Sequence, residues 1–315
     1  MKKTIAVMAA LCLLLFTAAL ADETPVRVMA LKGPTAMGMV KMMEEPGART
    51  FDIVGAIDEV TPALIQGRTD IAAIPANLSS ALYNNTEGAV QVLAINTLGV
   101  LYIVDTDDSV HSVSDLRGRT LYASGKGATP EYALNAILAG NGLDPEKDVT
   151  IEWKSEHAEC LASLLASGGA ALLPQPFVTT AQMKNESVRV ALDLNAEWDA
   201  LQKDAEAPSA LLTGVVVVRR AFAEEHPDAV NAFLNDYAES VAFVNSNVEA
   251  AAELVGKYEI VPAAVAARAL PACNITFIEG EEMQEKLSGY LSVLFSQNPK
   301  AVGGKLPGDD FYYKR

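Results

Sequence analysis

Short apolar runs of strand length alternate with helix-like segments from Val26 to about Leu194, and the series restarts once, after Asp105. A chain patterned this way folds as α/β layers, with strands paired into sheets and helices on their faces. Before the restart, Val26–Leu31, Phe51–Ala56, Asp70–Ile74, Val90–Asn96 and Gly99–Val104 read as strands. They are rich in Val, Ile and Ala and bounded by Gly, Pro, Asp or Asn. Pro34–Glu45, Asp58–Gln66 and Leu78–Asn84 read as helices between the first four. After it, Arg119–Ala123, Val149–Trp153, Ala170–Leu173 and Val188–Leu192 read as strands, with helices at Thr129–Ala139, Glu156–Ala166 and Phe177–Lys184. This order predicts mostly parallel sheets covered on both faces. Leu211–Val218 adds a strand, and the chain then turns helical. Val230, Phe233, Leu234, Tyr237, Val241 and Val244 recur at helical spacing from His226 to about Asn245. Val248–Tyr258, Pro262–Leu270 and Gly280–Ser296 are three further helices, and the Gly-, Pro- and charge-rich tail from Asn298 to Arg315 is expected to lie over the surface.

The two halves echo each other. Leu64–Ala81 and Leu164–Ala181 each run as a helix end, glycine, a small-residue strand, a proline and a Ser/Thr-bearing helix. Coincidence in an Ala-rich chain is the competing reading. If the echo is structural, the residues after each proline stand at the carboxyl end of a parallel strand, where ligands sit in open α/β sheets.

Four strand-to-helix turns are the candidate ligand contacts. In Ser124-Gly125-Lys126-Gly127-Ala128-Thr129-Pro130 the glycines allow a tight turn and close approach, and Thr129 and Pro130 open a helix. The free N–H groups at such a helix start favour an anion or polar oxygen. Of these we assign Ser124, Gly125, Gly127, Ala128 and Thr129 to the site. The spacing is not that of a Walker A loop. Lys32, Gly33, Pro34 and Thr35 form a second turn, at the end of the first strand. Asn77 follows the proline of the first echo, and Gln175 and Phe177 follow that of the second. Each also has a plain structural reading: tight turns for the glycine segments, a helix cap for Asn77, core packing for Phe177.

Composition narrows the partners. The net charge of −16 repels a phosphate backbone, so nucleic-acid binding is not expected. Half of the residues are hydrophobic, enough for a sizeable core. At the amino end, Lys2 and Lys3, the apolar run Ile5–Phe16 and Ala19-Leu20-Ala21 before Asp22 have the form of a secretory leader cleaved after residue 21. A membrane anchor is the alternative, but Thr4–Ala21 is barely long enough where a span needs about 20 apolar residues. Cys12 lies inside the apolar run and suits lipidation poorly. Export permits a disulfide between Cys160 and Cys273, although sequence alone does not bring the thiols together.

No catalytic constellation, metal site or cofactor motif is expected. The histidines are His111, His157 and His226. His157 and Cys160 share a helix face with Glu156 and Glu159, but two ligands do not close a zinc site, and the face reads as solvated. No serine sits in a G-x-S-x-G elbow.

Two stretches carry a family resemblance. Leu64-Ile65-Gln66-Gly67-Arg68-Thr69-Asp70-Ile71-Ala72 resembles the helix-glycine-strand signature of type II solute-binding proteins of the NMT1/THI5-like group, whose ligands include sulfonates, nitrate, taurine and thiamine precursors. Ser112-Val113-Ser114-Asp115-Leu116-Arg117-Gly118-Arg119 resembles the segment that leads into their ligand-binding strand. The resemblance spans Val26 to about Gln297. It implies a two-lobed periplasmic-binding-protein type II fold, each lobe a mostly parallel sheet flanked by helices, with the ligand cleft between lobes. One lobe would hold residues 22–104 with 214–315, the other 105–213. It also implies a monomeric extracytoplasmic receptor that closes on a small polar or anionic solute and docks on an ABC transporter permease. The sequence departs from the family at Ser167-Gly168-Gly169-Ala170, which lacks the usual Asp. It also lacks the cysteine-rich motif of thiamine-pyrimidine synthases, which argues against the enzyme branch; the rival readings are an enzyme on this fold or a ligand-sensing module.

Overall fold

The computed structural model describes residues 24–203 and 209–315. The leader expected over residues 1–21 lies outside them. In chain order the elements are β1 (Val26–Leu31), α1 (Pro34–Met37), α2 (Val40–Glu44), β2 (Arg49–Val54), α3 (Ile57–Ile65), β3 (Ile71–Pro75), α4 (Ala76–Asn85), β4 (Val90–Leu98), β5 (Leu101–Asp105), β6 (Thr120–Ser124), α5 (Thr129–Gly140), β7 (Thr150–Lys154) and α6 (His157–Ser167). There follow β8 (Ala170–Pro174), α7 (Phe177–Lys184), β9 (Arg189–Asp193), α8 (Leu194–Gln202), β10 (Leu212–Arg219), α9 (Arg220–Glu225), α10 (Pro227–Ser246), α11 (Val248–Lys257), α12 (Ala263–Ala269), β11 (Ile275–Ile278) and α13 (Gly280–Gln297).

A single helix is expected over Pro34–Glu45, and two short ones form. The Gly38 carbonyl accepts a hydrogen bond from Ser240 Oγ at 2.7 Å, so a side chain of α10 interrupts the backbone ladder there. A Cβ at Gly38 would sit 3.0 Å from the Tyr237 hydroxyl, which lets α10 pack this closely.

The strands form two sheets, in the orders β11-β4-β10-β3-β1-β2 and β7-β6-β8-β5-β9. β1 pairs in parallel with β2 and β3, and β6 with β7 and β8. β10 is antiparallel to β3 and β4, β5 is antiparallel to β8 and β9, and β11 is antiparallel to β4. Both sheets are therefore mixed, where the strand–helix alternation predicts mostly parallel ones.

The reversals follow from how the chain changes sheets. Only Gly99 and Val100 separate β4 from β5, too short a link for a crossover helix. β5 thus enters the second sheet from the end at which β4 left the first. Its first residue, Leu101, pairs with Pro174, the last residue of β8. β10 returns in the same way: Leu212 pairs with Leu98 at the end of β4, and Gly214 pairs with Pro75 at the end of β3. The carboxyl ends of the parallel strands in the two sheets are turned toward one another.

Each sheet is pinned at its other end by a buried carboxylate. Asp70 is 1% exposed. It accepts hydrogen bonds from Arg27 N, Nε and Nη2 at 3.0, 2.8 and 2.7 Å, and from Arg219 Nη2 at 2.8 Å. One side chain so ties β1, β3 and β10 together, which gives the Q-G-R-T-D stretch its structural role. In the second sheet Ala170 stands where that aspartate is missing, and its direct partner across the ladder is Asp105 of β5. Asp105 is fully buried and accepts from Ser109 N, Val110 N and Arg189 Nη2 at 3.0, 2.9 and 2.9 Å. The carboxylate is supplied by the neighbouring strand.

The tail does not simply lie over the surface. Ala301, Val302, Phe311 and Tyr312 are buried, and Tyr313 N donates to the Val92 carbonyl of β4 at 2.9 Å. Ser80 Oγ and Asn84 Nδ2 of α4 donate to Val302 O at 2.9 and 2.8 Å. The thiols of Cys160 and Cys273 are free and buried in separate apolar clusters.

Candidate functional site

The turns that follow β1, β3, β6, β7 and β8 all lie at the facing carboxyl ends. On the first sheet, Gly33 adopts φ 123°, a backbone conformation that side-chain-bearing residues rarely take, and is the N-cap before Pro34 in α1. Lys32 is exposed, and its backbone N–H donates to Val54 O at 2.9 Å. Thr35 is buried, with its hydroxyl on Leu31 O at 3.0 Å, and its carbonyl accepts from Asn96 Nδ2 at 3.2 Å. Asn96 Oδ1 in turn accepts from Thr97 Oγ1 at 3.2 Å. Gly214 lies against this knot: a Cβ there would stand 2.5 Å from both Asn96 Oδ1 and Thr35 Cγ2. The buried Thr213 Oγ1, one residue earlier on β10, has no hydrogen-bond partner among the described residues.

On the second sheet, Ser124 Oγ lies 2.6 Å from His157 Nδ1, and the His157 ring packs on Phe177 with centroids 5.5 Å apart. These three residues end β6, open α6 and open α7, so adjacent strands deliver them to one place. Gln175 Oε1 accepts from Thr179 N and Oγ1 at 3.3 and 2.9 Å, capping α7 and leaving Nε2 without a partner among the described residues. Gln175 N donates to Val100 O at 3.0 Å, which fastens this turn to the crossing segment. Around the glycine turn, Ala128 N donates to Gly125 O at 3.0 Å. The Gly127 N–H is held by Glu131 Oε2 at 2.6 Å, an internal carboxylate standing where an anion would.

The two sets meet. Thr129 Oγ1, at the start of α5, is 3.4 Å from Asn77 Oδ1 on α4 and 2.9 Å from the Tyr290 hydroxyl. Of the residues expected from sequence, Asn77 and Thr129 are in direct contact, and Ser124 and Phe177 are joined through His157. Lys32 and Gly33 stand on the first-sheet rim, with no hydrogen bond to the Gly125–Thr129 turn. His157, Asn96 and Tyr290 were not expected. The face of α6 that bears His157 and Cys160 is not solvated, because Cys160 is fully buried and His157 is turned onto Ser124. His157 occupies the same strand-to-helix position after β7 that the expected residues occupy after β1, β6 and β8, and that placement was the signal available.

Burial pushes the His157 imidazole down to about 4, so the ring is neutral at neutral pH. The folded value lies below the ordinary 6.5, so the unfolded chain takes up the proton first as pH falls. Stability should therefore drop between about pH 6.5 and pH 4 and then level off. Urea midpoints measured across that window in wild type and His157→Gln should show the slope flattened in the variant.

Among the described residues no group of three or more His, Cys, Asp or Glu side chains is arranged to hold a metal ion. A cavity of about 790 Å³ lies at the opposite pole, where β4 begins and β10 ends, lined by Leu64, Ile65, Arg219 and Arg220 among others. Its arginines are already paired, Arg219 with Asp70 and Arg220 with Asp310.

Residues 18–266 match the family model described as ABC transporter, phosphonate, periplasmic substrate-binding protein. The chain belongs to this family. Its members are substrate-binding components of ABC importers, and among the described residues of this one no helix is long and apolar enough to cross a membrane. No curated protein matches the chain. Among solved structures it is similar to an ABC transporter protein from Parabacteroides distasonis, at 23% identity and a TM-score of 0.79, over 93% of this chain and 99% of that one. It is similar also to the periplasmic aliphatic sulphonate binding protein SsuA from Escherichia coli, at 18% identity and a TM-score of 0.71, over 91% and 95%. The desulfurization enzyme DSZB shares the fold at 13% identity and a TM-score of 0.65, over 91% and 96%. These likenesses establish the α/β type II binding-protein fold, with two mixed sheets flanked by helices.

Proposed function

We propose that this family member captures a small organic oxyanion, of the phosphonate or sulfonate kind, between its two sheets and passes it to a membrane permease without chemical change. The carrying observation is the contact of Asn77 with Thr129, since it joins the turn after β3 in one sheet to the turn after β6 in the other. Oxyanion chemistry suits the groups found there. At the start of α5 the Thr129 N–H is open while Glu131 holds that of Gly127, Gln175 Nε2 is a donor without a partner among the described residues, and Lys32 supplies a cation on the rim. Neutral His157 beside Ser124 adds a polar pair next to the Phe177 ring, on which an apolar tail can rest.

In this reading each sheet marks a lobe, which moves the expected bounds because β5 joins the second sheet and β10 opens at Leu212: the lobes are residues 24–98 with 212–315, and residues 101–203. They close about the two crossings, with ligand stabilising the closed form. The receptor acts as a monomer after removal of residues 1–21, and its acidic surface keeps it off nucleic acid. The stretch Leu64–Ala72 favours a place beside the NMT1/THI5-like sulfonate binders.

Calorimetric titration with alkylphosphonates and alkanesulfonates tests this. Gln175→Ala and Ser124→Ala each remove a hydrogen bond to or beside a charged group, worth about 1.5–3 kcal/mol, so affinity should fall tenfold or more. A parent protein that binds neither class, or variants that bind as tightly as the parent, would sink the reading.

A further inference from the structure

Tyr290 is fully buried on α13, 161 residues from Thr129, yet its hydroxyl reaches the turn that opens α5. The protons on this contact can be assigned. Asn77 Nδ2 donates to Ala301 O at 3.3 Å, so Oδ1 is the atom that faces Thr129 as acceptor. Thr129 Oγ1 gives its single proton to Asn77 Oδ1 and must accept from its other partner. The Tyr290 O–H is therefore the donor. Burial pushes the Tyr290 phenol well above its usual value, so that proton stays in place. The outcome is a one-way relay, Tyr290 to Thr129 to Asn77 to the Ala301 carbonyl, in which each bond polarises the next.

The same helix grips the second lobe two turns further along. Gln297 Nε2 donates to Tyr132 O at 3.0 Å, and Asn298 Nδ2 donates to Tyr132 Oη at 3.1 Å. The Tyr290 ring also packs on Trp198 of α8, with centroids 6.0 Å apart. Meanwhile α4 is tied to the tail through Val302 O. Helix α13 and the segment after it thus hold both sides of the crevice, one through Asn77 and the other through Thr129 and Tyr132.

We infer that Tyr290 is a positioning residue for the binding crevice: by holding Thr129 against Asn77 it sets how closely the two lobes approach. The inference rests on the crevice being the ligand site, but lobe spacing can be read without ligand. Spin labels on Glu45→Cys and Glu186→Cys, both exposed and on opposite lobes, report the distance by pulsed electron resonance, while Cys160 and Cys273 are buried. Tyr290→Phe should lengthen and broaden the distribution in ligand-free protein. Asn77→Ala, which breaks the relay at its far end, should do the same, and the double variant should do no more than either alone. Affinity for methylphosphonate should fall about five- to tenfold with each. Distances in Tyr290→Phe and Asn77→Ala that match the parent would overturn the inference and leave Tyr290 an ordinary core tyrosine. A parent that binds no oxyanion while its variants still open would instead overturn the function and keep the positioning role.

Discussion

Asp70→Ala should lower stability by about 2–3 kcal/mol, the largest loss expected from a single polar side chain here. Removing one member of a buried ion pair typically costs about 3–5 kcal/mol. The lower figure applies because the stranded partners are not sealed in: the Arg27 and Arg219 side chains are 45% and 25% exposed and can be rehydrated. Burial alone would raise the Asp70 carboxyl. Hydrogen bonds from the Arg27 and Arg219 side chains and the Arg27 backbone outweigh it and hold the carboxyl below its usual range. A carboxylate lowered on folding contributes stability that is fully present above its unfolded value near 3.9 and is lost as pH falls through the folded value. Wild type and Asp70→Ala should therefore differ most at neutral pH and converge below about pH 4. Urea melts at pH 7 and pH 3 check this, and an equal gap at both would refute it.

Gly214→Val is the second large effect, expected to cost about 3 kcal/mol and to abolish ligand capture. Overpacking commonly costs about 1–3 kcal/mol, and this site belongs at the upper end. The added Cβ alone would stand 2.5 Å from two side chains on different elements, Asn96 on β4 and Thr35 on α1. Relief requires Thr35 to move, and Thr35 closes the turn that begins at Lys32. Chemical denaturation should show the loss of stability, and titration with an alkylphosphonate or alkanesulfonate should show no binding to the folded remainder. Gly214→Ala should lie between wild type and Gly214→Val in both.

The strand–helix order was legible because periodicity reports local structure. Val26–Leu31 and Phe177–Lys184 form over the residues expected. Strand direction was harder, since alternation gives an order but not a sense. The short gap between the strands at Val90–Asn96 and Gly99–Val104 was the clue that no crossover helix fits. β11 escaped because it is four residues long and follows Asn274 in a left-handed conformation, φ 45°. α8 escaped because its cap, Asp193, ends a strand; the Asp193 carboxylate accepts from Asn195 N at 2.9 Å. The tail misled through its glycines and prolines, which concealed the apolar anchors Phe311 and Tyr312. Within the site, the turns were readable from their glycines and prolines. Tyr290 was not, because nothing local marks a core tyrosine whose hydroxyl serves a turn 161 residues away.

The links between the sheets have one more consequence. A Cβ on Gly99 would touch Leu211 at 2.8 Å, so the point where the chain departs the first sheet and the point where it comes back are neighbours. The stretch that leaves at Gly99 and returns at Leu211 is thus a cassette with both ends at a single doorway. Such a cassette can be exchanged or re-stitched without redrawing the host sheet, and one half of a ligand's surroundings can be replaced while the other half is left intact.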